Sequence, residues 1–342
     1  MYRWSGLLVA SLMFLSLPAF AYTSGSDGSE GDLILNGDQP NVEIPLPPDG
    51  VLHYGEIFIA VGVTVTFTPN ADNTPAVLLA TGDVVIDGII DVSGQPSSSE
   101  CSSNLPLGDN EYCGGAGGPG GFRAADGGMY GQGPSSDSEI KEELWDPAPC
   151  NAGPALLGDT AGGAYCTPSW ILLAGGGGGG WTEHVLDKNT GLPITGGGGG
   201  AITIASSESI TLNGSILAHG GAAAASGGMI RLVANTLEGN GRAWANNESM
   251  GDSKTWTNKF RGTIKFEAYA HLGSLLENTE KNGVNSLYIG QPQVAVPYEP
   301  GKRPRIFISK IDGNLVTGTG TFPANVTLAQ EKEITVEVTT HY

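Results

Sequence analysis

Arg231, Lys265 and Glu267 raise the first chemical question, because they occur in two strand-like stretches, MIRLVA and TIKFEA, that can be superposed. In that superposition Arg231 and Lys265 share one outward column, and Glu267 lies two residues farther on. A cation beside a carboxylate could neutralise a uronate or take part in proton abstraction. The simpler reading is a solvated outer strand face carrying ordinary charges. Asp83, Asp87 and Asp91 could hold calcium through carboxylate oxygens, but Asp87 is also placed for a turn, so no cofactor is expected. His53, His184, His219, His271 and His341 are scattered and suit surface or packing roles better than catalysis. A GxGxxG match within Gly175–Gly180 has no strand-turn-helix context. The LPxTG-like Leu192–Gly196 lacks the C-terminal apolar tail of a sorting signal.

Aromatic and sulfur chemistry gathers elsewhere. Trp145, Trp170 and Trp181 fall in one central stretch, where they could stack on sugar rings or be buried as anchors, and Tyr112 and Tyr130 share that ambiguity. All four cysteines, Cys101, Cys113, Cys150 and Cys166, lie in the same stretch. Two disulfides are favoured over a zinc site, because close C-x-x-C pairs and an intervening His are both missing; the connectivity stays open.

The N-terminus explains why oxidised cysteines are plausible. Arg3 precedes an apolar run that ends in Ala19-Phe20-Ala21, the small-x-small pattern of signal-peptidase sites, so residues 1–21 read as a signal peptide. The run is shorter than the roughly 20 residues a membrane span requires, so no span is expected after its removal. The destination would be extracellular, cell surface or periplasm, a disulfide-permissive setting. Acidic residues outnumber basic ones by 35 to 16, and a net charge of −19 repels nucleic-acid phosphates and anionic membranes, so no nucleic-acid partner is expected.

The elements that must position these residues repeat. AVLLATGDVVIDGIIDVSG (Ala76 to Gly94), AITIASSESITLNGSILAHG (Ala201 to Gly220) and MIRLVANTLEGNGRAWAN (Met229 to Asn246) superpose, and TIKFEA (Thr263 to Ala268) begins a fourth copy. Each alternates apolar residues at period two, the pattern of a strand with one buried face. Val77 and Leu79, Ile202 and Ile204, Ile230 and Leu232, and Ile264 and Phe266 are expected to face inward. After a short bend, Val84 and Ile86, then Ile210 and Leu212, take the same role, with a weaker third copy at Leu237. Asp87-Gly88, Asn213-Gly214 and Asn240-Gly241 mark a further bend, where glycine would supply positive φ. A two-residue hairpin is the competing use of such pairs, but recurrence at equal offsets favours stacked parallel units.

Glycine is 54 of 342 residues, and runs of it bound a long insertion at about 95–200. Gly196–Gly200 leads directly into the Ala201 strand, so the run is expected to let backbone segments pack closely in polyproline-II-like contacts; a flexible linker is the rival.

GDVVIDGIIDVSG, GGAGGPGGF (Gly114 to Phe122), the GGGGG run before AITIASSESITLNGSILAHGG, and SGGMIRLVA together resemble secreted bacterial glycine-rich, right-handed parallel β-helix proteins, some adhesin- or haemagglutinin-like. The resemblance covers roughly Val51 to Ala268. It implies an all-β, right-handed parallel β-helix, a solenoid, with a long Gly-rich, Cys-containing insertion and a small C-terminal antiparallel β module. The expected organisation is a signal peptide (1–21), a lead-in or cap (22–50), a β-helix domain (51–300) and a small β-sandwich-like module (301–342), where RIFISKIDGNLVTGTG and NVTLAQEKEITVEVTTHY alternate at period two. The function expected is that of an exported non-catalytic surface protein contacting a glycan or extracellular matrix component through the insertion. A polysaccharide lyase or glycoside hydrolase using Arg231, Lys265 and Glu267 in a groove is the alternative.

Overall fold

The structure, a computed structural model, describes residues 21–96, 114–124, 196–221, 225–246, 262–281, 286–293, 295, 305–311, 314–315 and 336–341. In chain order the strands are β1 (Leu33–Leu35), β2 (Asn41–Pro45), β3 (Val51–Tyr54), β4 (Ile57–Ile59), β5 (Thr64–Thr68), β6 (Ala76–Ala80), β7 (Val84–Ile86), β8 (Ile89–Asp91), β9 (Ala201–Ser206) and β10 (Ser209–Leu212). There follow β11 (Ser215–Leu217), β12 (Met229–Glu238), β13 (Arg242–Trp244), β14 (Thr263–His271), helix α1 (Leu275–Lys281), β15 (Ser286–Gly290), β16 (Arg305–Ile311), β17 (Asn314–Leu315) and β18 (Val336–His341). The fold is all-β and built mainly on parallel pairing. No helix among the described residues is long and apolar enough to cross a membrane.

The repeats do stack in parallel. Val84 pairs with Ile210 and Ile210 with Leu237, while Ile90 pairs with Ile216 and Ile216 with Ala243. The right-handed β-helix expected from the sequence is nevertheless corrected. One ten-stranded sheet runs β1-β4-β7-β10-β12 and then returns through β9-β6-β3, with β14 and β15 added beside β12. A second, five-stranded parallel sheet runs β13-β11-β8-β5-β2. Together they form a nearly closed, barrel-like arrangement in place of a regular solenoid. The physical reason lies in β12. The second repeat bends at Ser207-Glu208 between β9 and β10, but Met229–Glu238 continues as a single strand of ten residues. Its first half pairs with β9 and its second half with β10, so two rows fuse into one sheet.

The core fills the space between the sheets. Ile59, Ile86, Ile90, Ile202, Ile204, Ile210, Leu212, Ile216, Ile230, Leu232 and Phe266 are buried there in one cluster. The expected inward face of the first repeat is corrected by one residue. Ala76 pairs with Ile202 and Leu78 with Ile204, so Ala76, Leu78 and Ala80 enter this core. Val77 and Leu79 point to the opposite face, because a one-residue change of register moves every side chain across the sheet. That face is also covered: Val77, Leu79, Ala205 and Val233 pack with Val51, Tyr22 and Ala295. Burial on both faces suits a parallel sheet and its near-continuous apolar runs.

Glycine closes the base of the insertion. Pro96 and Gly196 form an antiparallel bridge where the chain leaves and returns. Gly197 N donates to Gln95 O (2.9 Å), Gly198 N to Phe122 O (2.8 Å), Gly199 N to Ser226 O (2.9 Å) and Gly200 N to Val92 O (2.7 Å). Successive N–H groups thus reach three different neighbours and come back to the first after three residues, the threefold period of a polyproline-II backbone. A Cβ on Gly197 would strike Ala116 O, and one on Gly199 would strike Ala218 O. Close backbone packing, not linker behaviour, therefore describes Gly196–Gly200. Cys101, Cys113, Cys150, Cys166, Trp145, Trp170, Trp181 and the first 20 residues lie outside the described residues.

In the C-terminal stretch, β16 pairs antiparallel with β17 and β18 in a three-stranded sheet.

Candidate functional site

The register that pairs Thr203, Arg231, Lys265 and Tyr288 across β9, β12, β14 and β15 brings the predicted charged column together as expected. The solvated outer face is corrected. Arg231 is 0% exposed, Glu267 1% and Lys265 9%. Arg231 donates from Nε to Glu267 Oε2 (2.7 Å), and its Nη2 lies 2.6 Å from the same oxygen. Lys265 Nζ lies 2.9 Å from Glu267 Oε1, so one carboxylate bridges both cations. The rest of the guanidinium is spent on the backbone: Nη1 donates to Ala295 O (3.1 Å) and Nη2 to Gln293 O (3.3 Å). These carbonyls lie on a segment far along the chain that covers the face. Tyr22 covers it from the other end of the sequence, with burial pushing its hydroxyl above the usual tyrosine range. A sugar ring does not reach charges enclosed in this way, and satisfied buried charges are what such a cluster requires for stability.

An open groove lies instead at the stacked Asx-Gly turns. Asn213, Gly214, Ser215, Asn240, Gly241, Arg242 and Asn278 line it, with a volume of ≈ 380 Å³. The turns stack through their amides: Asn213 Nδ2 donates to Asp87 Oδ1 (2.9 Å), and Ser274 Oγ donates to Asn240 Oδ1 (3.1 Å). Asn278 Nδ2 donates to Asn240 O (2.7 Å), fixing the lip that α1 contributes. The expectation of positive φ at the paired glycines is corrected, since none of Gly88, Gly214 and Gly241 has it. Close approach is what demands glycine. A Cβ on Gly214 would strike Gly88 O, and one on Gly241 would strike Gly214 O. This packing holds successive Asx side chains one strand spacing apart.

Arg242 is the charged member of the groove. Its guanidinium carbon lies 4.4 Å from the centre of the Trp244 ring, and Nε approaches Ser215 Oγ at 3.4 Å. His219 meets the same indole edge-on, with centroids 5.1 Å apart. Trp244 therefore holds a flat guanidinium at the surface while its own ring stays half-buried. The exposed Asn213, Asn240 and Arg242 side chains line the groove beside the half-buried Ser215, a polar arrangement suited to hydroxyl-rich ligands. In the sequence, Asn213 and Asn240 stand out only as turn formers and Arg242 carries no signal of its own. The recurring Asx-Gly pairs followed by Ser215 and Arg242 were the available signal.

The remaining candidates separate. Asp83 Oδ1 accepts from Ser209 Oγ (2.7 Å), Asp87 is tied to Asn213, and Asp91 Oδ1 accepts from Ser93 N (2.9 Å). Each carboxylate thus has its own local partner, and no cluster of metal-binding side chains occurs among the described residues. Comparison with family models, curated proteins and solved structures finds no match to this chain.

Proposed function

We propose that the chain is an exported, adhesin-like surface protein that contacts a glycan or matrix component without chemically changing it. The carrying observation is the open groove at Asn213, Ser215, Asn240, Arg242 and Asn278, where the exposed side chains of Asn213, Asn240 and Arg242 stand together and the guanidinium is held on an indole. The insertion at about 95–200 is a second contact in this reading, with Trp145, Trp170 and Trp181 as aromatic surfaces for sugar rings. A neutral glycan suits the groove better than a polyanion. One arginine attracts a uronate locally, but a chain carrying −19 repels an acidic polymer as a whole.

Binding of the purified protein to immobilised neutral and uronate-containing polysaccharides tests the proposal. Retention on a neutral glycan that weakens in Arg242→Ala and Asn240→Ala supports it. Absence of retention on both glycan classes, or cleavage of either, would overturn it.

A further inference from the structure

The residues that follow the small-x-small motif form a strap across the strand ends. Ser26 Oγ donates to Tyr54 O (2.8 Å) at the end of β3, and Ser24 Oγ donates to Ala80 O (2.6 Å) at the end of β6. Ser24 N donates to Ser207 Oγ (3.0 Å), just past β9. Tyr22 N donates to Asn235 Oδ1 (2.8 Å) within β12, and Asn235 Nδ2 returns a bond to Tyr22 O (3.3 Å). The same Asn235 Nδ2 also binds Ser207 O. One residue per strand is thus stitched across β3, β6, β9 and β12, and the last stitch is Tyr22.

Exposure alternates along this strap: Ala21 and Thr23 are exposed, whereas Tyr22 between them is 7% exposed, its ring packed on Val51, Val77, Leu79, Ala205, Val233 and Ala295. The small-x-small motif Ala19-Phe20-Ala21 therefore ends immediately before a docked Tyr22. We infer that hydrolysis of the Ala21–Tyr22 bond makes Tyr22 the first residue and that Asn235 is the receptor for its new amino group, so that maturation sets a terminal clasp. This inference rests on the export reading above. In the cleavage, water adds OH to the Ala21 carbonyl carbon and H to the Tyr22 nitrogen as the C–N bond breaks. The freed amine takes a further proton near neutral pH, with an ordinary pKa of about 7.7–8.0. The Asn235 Oδ1 bond then becomes charge-assisted and stronger than the amide bond it replaces.

The test is N-terminal mass analysis of the exported full-length protein, followed by labelling of the native protein with an amine-reactive ester near neutral pH. The expected result is a chain starting at Tyr22 whose α-amine reacts more slowly than in denaturant by about tenfold, the factor for about 1.4 kcal/mol of protection. Asn235→Ala should remove most of that protection, while Asn235→Asp, which keeps an acceptor at the site, should retain it; circular dichroism confirms that both variants are folded. A different first residue, or an unprotected Tyr22 amine in the native exported chain, would overturn the clasp and leave the export reading standing. A chain that is not exported at all would sink both.

Discussion

Arg231 and Arg242 lie on successive strands and live in opposite surroundings. Arg231 is enclosed, with its guanidinium divided between Glu267 and the carbonyls of Gln293 and Ala295. Arg242 stands in an open groove, braced by the Trp244 ring and a long contact to Ser215. The difference shows that residue type and strand position do not separate scaffold from contact surface. What separates them is the covering chain: Tyr22, Gln293 and Ala295 close one face, while the turn stack stays open to solvent.

The largest effect should come from breaking the enclosed side. Glu267→Ala leaves Arg231 and Lys265 without their shared carboxylate and should destabilise the fold by about 3–5 kcal/mol, read from denaturant unfolding. If the loss is negligible, the enclosed cluster is not holding the face together. Gly199→Ala tests the glycine layer near the base of the insertion, where an added Cβ collides with Ala218 O and neighbouring backbone. A loss of about 1–3 kcal/mol is expected in the same unfolding measurement, whereas a tolerant linker would show no change.

Alkaline pH should weaken the buried scaffold next, through Tyr54 in the core between the sheets and Tyr22 on the enclosed face. Burial pushes the Tyr54 hydroxyl up to about 12 and raises Tyr22 as well, while unfolded tyrosine ionises near pH 10. The folded state holds these protons longer than the unfolded state does. Their stabilising contribution is therefore complete below about pH 10 and falls as pH rises towards about 12. Tyr54→Phe should flatten part of that decline in unfolding curves collected across the range; an unchanged slope would contradict the assignment. The smallest stability effect belongs to Arg242→Ala. Removing an exposed cation–π contact should cost about 0.5–1 kcal/mol or less, and a much larger loss of melting temperature would place Arg242 with the scaffold.

Much of the core was legible because alternation was clean. Val84, Ile86, Ile210, Leu212 and Ile216 occupy the buried positions their pattern implied. The AVLLA stretch does not disclose its register, since all five side chains are apolar and buried and no polar residue marks a face, and its inward set is one residue away from the expected Val77 and Leu79. Fusion of two rows through β12 was harder to see. It follows from the missing bend between Val233 and Leu237, where the repeat expects a short bend but Asn235 and Thr236 remain in the strand. The enclosure of Arg231, Lys265 and Glu267 depends on segments more than 25 residues away along the chain, such as Gln293 and Tyr22, and local periodicity carries no trace of them. The groove was half legible: its Asx-Gly turns recur visibly, but Asn278 reaches it only because α1 folds over β13, where Thr279 Oγ1 accepts from Ala243 N (3.3 Å).

The most direct measurement is a calorimetric titration of the purified protein and its Arg242→Ala variant with a neutral oligosaccharide retained in the polysaccharide assay, at low and physiological salt. The account predicts binding that changes little with salt, falls by about tenfold or more in the variant, corresponding to about 1.4 kcal/mol, and leaves the melting temperature nearly unchanged. Equal affinity in the two proteins would contradict it, as would binding confined to acidic oligosaccharides and abolished by salt.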